Sequence, residues 1–191
     1  NEVTIMSDVS ETQISRWPHW SVPALHWIMA LLMAAAFGIG QVMEEVPRAE
    51  RAEIMGYHAL VGISVLVLFL PRILAVLRLS PPAVQDDPRL VKIMARIAHG
   101  VLYLAMIAMP VTGLLAVMTS GRNFPVAGLF SLPDLGRIEW LHEGAEEIHE
   151  FFVPVLVTLV VLHVIAAVWH HYIRHDDVLA RYVPSLRRRD S

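Results

Sequence analysis

Four stretches of this chain carry no Asp, Glu, Lys or Arg: Ser21 to Met43, Ile54 to Pro71, Ile97 to Gly121 and Phe151 to Ile173. At a rise of about 1.5 Å per residue, each is long enough to cross a bilayer's apolar core of about 30 Å as a helix. The rest of the composition agrees: 55% of residues are hydrophobic, 17% are charged and the mean hydropathy is +0.53. An ordinary soluble domain carries more charge than that. The expected fold is an all-α, integral membrane four-helix bundle with spans near 21–43, 54–78, 97–119 and 148–173. The spans form one domain over 17–175, with a polar tail at 1–16 and a basic tail at 176–191.

The flanking residues set an orientation. Placing both termini and the middle connection on one side collects eleven of the fifteen basic residues there, leaving Arg48, Arg51, Arg122 and Arg137 opposite. By the positive-inside rule both termini are then cytoplasmic. The first sixteen residues lack the basic start of a cleavable signal, so the first span is expected to stay in the mature protein. Trp17, Trp20 and Trp27 frame its start, where amphipathic rings favour the interface, and Pro18 and Pro23 delay its regular helix. Pro110 should kink the third span, at a cost that a neighbour or a side chain such as Thr112 offsets. FPVAGLFSLPDLG, within Gly121 to Glu147, reads as a surface loop or a short interfacial helix across the bundle mouth.

Zero cysteines exclude disulfides, thiolate-held iron–sulfur clusters and thioether-attached haem, so any metal rests on His, Met or carboxylate. The ten histidines are placed suggestively. His149 and His163 are fourteen residues apart on the last span, hence about 40° apart around a helix and roughly 21 Å apart along it. Sorting by depth puts His58 and His149 in the outer leaflet. His26, His99 and His163 fall in the inner one, with His170 and His171 at its boundary. Gly62, one turn beyond His58, leaves room for a flat cofactor or for close helix packing.

A haem iron takes two trans imidazoles and fits between bundle helices. Tetrahedral zinc needs three or four converging ligands, and the spans hold no carboxylate to help. Two ligands per level suit haem better, although three inner histidines compete for two places. Phosphate-binding glycine motifs are absent, and the basic run Arg187 to Arg189 reads as a topology determinant or lipid contact rather than a nucleic-acid site.

The order and spacing of HW in span one, YHALVGISVLVLFLPRI in span two, AHGVLYLAMIAMPVTG in span three, then IHE, LH and AAVWHH resemble the bacterial cytochrome b561 family over His19 to Leu186. The resemblance implies a bundle holding two non-covalent b haems in a bacterial inner membrane. It makes His26 and His163 the inner ligand pair and His58 and His149 the outer pair, and leaves His99 as a propionate or hydrogen-bond partner. It further implies electron exchange with ubiquinone and, in some members, with superoxide at the other end. His170 shares the helix face of His163 and is the candidate quinone contact, with Arg72 and Trp169 as candidate walls. The outer connections carry ten acidic and four basic residues, a balance of −6 that should repel a small anion unless the four arginines gather locally. A neutral donor, a basic periplasmic donor protein, a relay subunit of a dehydrogenase or hydrogenase, and a histidine-based metal or proton transporter are the competing expectations.

Overall fold

The computed structural model describes residues 20–79, 88–175 and 179–186. The N-terminal tail with Trp17 and Pro18, the Pro- and Asp-rich connection at 80–87 and the final basic run fall outside them. Four long helices form the molecule: α1 (Ser21–Glu45), α2 (Arg48–Leu79), α3 (Arg89–Met118) and α4 (Glu139–Trp169). All four are long and apolar enough to cross a membrane. The principal helix contacts are α1 with α2 and α3 with α4, with α2 also packing on α3.

The helices overrun the apolar spans because the charged flanks are themselves good helix formers. The connection expected over Glu44 to Glu53 shrinks to Val46 and Pro47. Proline disfavours a helical residue before it, and Val46 is extended (φ −88, ψ 155). Arg51 then reaches back, donating to the carbonyls of Val46 at 3.1 Å and Glu44 at 3.2 Å. It thereby caps carbonyls that the end of α1 leaves unpaired, at the negative pole of the helix dipole.

The fold is mostly helical rather than all-α. The segment expected to be a loop or interfacial helix is a β-hairpin, with β1 (Phe124–Val126) antiparallel to β2 (Phe130–Leu132). Its turn holds Ala127 and Gly128 at positive φ, 49° and 71°, and closes with Leu129 N–H donating to Val126 O at 2.9 Å. Val126 is fully buried, and β1 lies against α2 at Gly56. A Cβ on Gly56 would stand 2.8 Å from Pro125 O, so only glycine admits the hairpin backbone there. Bonds from Leu135 N to Met118 O and from Ile138 N to Thr119 O tie the rest of the connection to the end of α3.

Three helices run on through an interior proline, at Pro71, Pro110 and Pro154. Near Pro110 the Thr112 hydroxyl donates to Ala108 O at 2.7 Å and Met109 O at 3.1 Å, not to the Met106 carbonyl that proline deprives of its partner. Beyond α4 a π-turn (His170–Arg174) ends at His175, whose φ of 59° reverses the chain. The following segment folds back on α1, where Trp27 Nε1 donates to Tyr182 O at 2.8 Å. Few residues of the spans are buried, among them Met29, Val65, Ala75 and Ala105, and the four helices line a large cavity. Leu31, Val67, Leu70, Leu77, Leu104 and Leu162 are exposed outside the cavity lining, as lipid contact requires.

Candidate functional site: two imidazole pairs along one cavity

The cavity, of about 2520 Å³, is lined by all four helices and by the segment around Tyr182. Four of its lining histidines follow one another along α4 and the π-turn that continues it: His142, His149 and His163 of α4, and His170. Their spacings are multiples of seven, so they share one face. The two levels they define are named here for their neighbours, hairpin-side and tail-side.

At the hairpin-side level His58 from α2 meets His149 from α4, with ring centres 6.0 Å apart and planes at 74°. His58 Nδ1 lies 3.0 Å from Ala36 O, and His149 Nδ1 lies 2.8 Å from Met109 O. A carbonyl only accepts, so each Nδ1 carries the ring proton and each Nε2 keeps its lone pair for a metal. Glycine makes the space for the His149 ring, whereas a side chain at the position facing His58 would meet that ring at ordinary contact distance. A Cβ at Gly40 would lie 3.6 Å from His58 Cε1, and one at Gly113 would lie 3.2 Å from His149 Cε1 and Nδ1. Gly62 also lines the cavity, and its nearest cross-helix neighbour is Pro110 Cβ, 3.9 Å from an added Cβ.

At the tail-side level His26 from α1 meets His163 from α4, with ring centres 6.2 Å apart and planes at 52°. His99 packs edge-on against His163 at 5.3 Å, while its Nδ1 turns to Ala95 O of its own helix at 2.6 Å. Arg72 is buried beside them. Its Nη1 donates to Val22 O at 2.9 Å, and its Nη2 lies 3.4 Å from His26 Nδ1. The Tyr182 ring closes the level from the tail, 4.8 Å from the His26 ring. His170 lines the cavity. Trp169 does not: it is exposed and carries Arg174 over its ring at 5.8 Å. His171 is buried and lies outside the lining.

An imidazole nitrogen binds a first-row metal at about 2.0–2.1 Å, with the ring centre about 1.1 Å behind it, so two trans rings on one ion stand about 6 Å apart. Both pairs meet that separation. Among the described residues no group of three or more His, Asp or Glu gathers closely enough to hold an ion unaided. The donors therefore fit a metal that brings its own equatorial ligands, as haem iron does. The cavity exceeds twice the roughly 1,000 Å³ upper range of ordinary cofactor sites, which leaves room for two such groups.

His142 is absent from the sequence reading. Its Nδ1 bonds Ala116 O at 2.7 Å, and its Nε2 lies 3.5 Å from Glu146 on the next turn. The seven-residue spacing to His149 was the available signal, hidden because this stretch read as a loop. Arg48, Arg51, Arg122 and Arg137 all line the same mouth, among Glu44, Glu146 and Glu150.

The chain is similar to known proteins over most of its length. The family described as prokaryotic cytochrome b561 matches residues 16–185. The probable superoxide oxidase CybB of Yersinia pestis is 29% identical over 165 residues, which cover 85% of this chain and 93% of that protein. Cytochrome b561 homolog 1 of Escherichia coli K12 is 27% identical, covering 84% and 93%, and homolog 2 is 26% identical, covering 83% and 86%. With four membrane-length helices and a family match over nearly its whole length, the chain belongs to the prokaryotic cytochrome b561 family, whose members are electron-transfer proteins of the membrane.

Proposed function

We propose that this protein carries electrons across a bacterial inner membrane through two b haems, between a donor on the hairpin side and ubiquinone on the tail side. The observation that carries the reading is the pair of imidazole couples, each at trans-ligand separation, on one shared helix. In it His58 and His149 would hold one haem and His26 and His163 the other. Bound there, haem b would supply a one-electron store that exchanges electrons at its ring edge. The chain's own groups orient and insulate. Ala36 O and Met109 O fix the hairpin-side imidazoles, Gly113 makes room for the His149 ring, and the lipid-facing apolar wall excludes water.

Both termini lie in the cytoplasm, on the charge balance of the connections. Ubiquinone binds at the tail-side mouth, where His170 lines the cavity and its imidazole can exchange a proton with a quinone oxygen. Arg72 forms the inner wall there, and Trp169 contributes from outside the lining. The test is haem oxidation by ubiquinone in stopped flow. His170→Ala should slow it at least tenfold with an unchanged haem spectrum, and unchanged kinetics would remove the quinone site from this mouth.

A second reading concerns the donor. The four hairpin-side arginines line the cavity mouth, as a steering funnel for superoxide requires, and one relative is named a probable superoxide oxidase. Two of the four are already engaged: Arg51 with backbone carbonyls and Arg137 with Glu139 at 3.2 Å. The overall balance of −6 in these connections opposes them. Salt decides between the two. A rate of haem reduction by superoxide that falls as salt rises shows net attraction and selects superoxide. A rate that rises shows repulsion and favours a neutral or protein donor.

A further inference from the structure

The Arg72 guanidinium is a permanent cation, 7% exposed, on the membrane-spanning part of α2. One of its edges is bonded to Val22 O, a neutral acceptor, and the other faces an imidazole nitrogen at 3.4 Å. Neither neutralises it. Among the described residues the ion pairs are Arg137–Glu139 and His142–Glu146, both near the hairpin. Among the described residues Arg72 has no carboxylate partner, a buried charge inside a membrane protein is costly, and Arg72 adjoins an open cavity large enough to admit one.

The contact with His26 is also incompatible with that ring's proposed role. A metal on Nε2 leaves the ring proton on Nδ1, and Nδ1–H then points at the N–H of Nη2, donor against donor. Binding at His26 must turn the guanidinium edge away, into the cavity. Two parallel N–H groups on that edge match the two oxygens of a carboxylate.

We propose that Arg72 is a carboxylate-binding subsite that holds a propionate of the tail-side haem. The proposal rests on the functional reading above and extends it: Arg72 holds the cofactor in place rather than serving only as quinone wall. Tyr103 and Tyr182 line the same part of the cavity and bring further hydroxyls to it. The hairpin-side level has no counterpart to Arg72 within the spans, since Arg48, Arg51, Arg122 and Arg137 all lie at its mouth. A lipid phosphate could supply the same oxyanion chemistry, so the experiment separates the two sources.

Holoprotein with wild-type Arg72, Arg72→Gln or Arg72→Lys is purified in a neutral detergent. Two quantities are read: the rate at which each haem leaves to an apomyoglobin trap, and the haem propionate bending bands in resonance Raman spectra. Arg72→Gln should release the tail-side haem at least tenfold faster and shift its propionate band. Arg72→Lys should recover part of the loss rate, and the hairpin-side haem should be unaffected in both, which also reports that the fold is intact. Added anionic lipid should change neither quantity. An unmoved propionate band would overturn the proposal, as would a loss rate that anionic lipid governs. A wild-type protein without bis-imidazole haem would instead remove the functional reading itself.

Discussion

At the hairpin-side level each imidazole has its Nδ1 bonded to a backbone carbonyl of a neighbouring helix, at 3.0 and 2.8 Å, and stands against a glycine. At the tail-side level His26 instead faces a buried guanidinium, and His163 lies between two other histidine rings. The hairpin-side pair is set in tautomer and direction before anything binds. The tail-side pair has the same separation with electrostatics in place of anchoring. The difference teaches where each level is vulnerable: the first to changes of shape, the second to changes of charge. Orienting hydrogen bonds of this kind commonly govern affinity by ten- to a hundred-fold.

Removing a ligand tests the contrast most severely. His149→Ala should abolish the hairpin-side haem and leave the tail-side one, halving the haem per chain. His163→Ala should do the reverse. Loss of both haems in either variant would mean that the levels are not independent. Gly113→Val comes next, because even one added Cβ would stand 3.2 Å from the His149 ring. Hairpin-side haem occupancy should fall severalfold without loss of the tail-side signal, whereas full occupancy would show that the ring has another position.

Gly56→Ala should act on stability rather than on ligation. Its Cβ meets backbone at 2.8 Å, so the hairpin must shift, at about 1–3 kcal/mol by the usual cost of overpacking. A lowered unfolding midpoint in detergent with both haems retained is the expected outcome. His99→Ala should be mildest: the ring bonds only to its own helix and touches the edge of His163, so a shifted tail-side potential with both haems present is expected. Loss of a haem there would reassign the tail-side ligands, with His99 replacing His26 or His163.

The four spans were legible because a bilayer excludes charge over about twenty residues, and these gaps are visible in the chain itself. Helix ends were not, because charge marks where the membrane stops and Glu and Arg let the helix run on. The start of α4 at Glu139 therefore escaped notice, and His142 with it. The hairpin was hidden by its turn, where Ala127 takes a positive φ that its type rarely adopts. In the sequence Arg72 was a candidate wall of the quinone site, just past the charge-free run that ends at Pro71. Its bond to Val22 O and, among the described residues, the absence of a carboxylate partner are tertiary facts that no spacing rule contains. Trp169 shows the opposite case, since adjacency to His170 in sequence does not bring it to the same surface.

The central claim is two b haems per chain, each between two imidazoles. A pyridine haemochrome assay on the purified protein, normalised to quantitative amino-acid analysis, tests it directly. The account predicts two haem b per polypeptide, with a low-spin bis-imidazole spectrum in both redox states. One haem or none, or a high-spin spectrum with an open axial position, would contradict it.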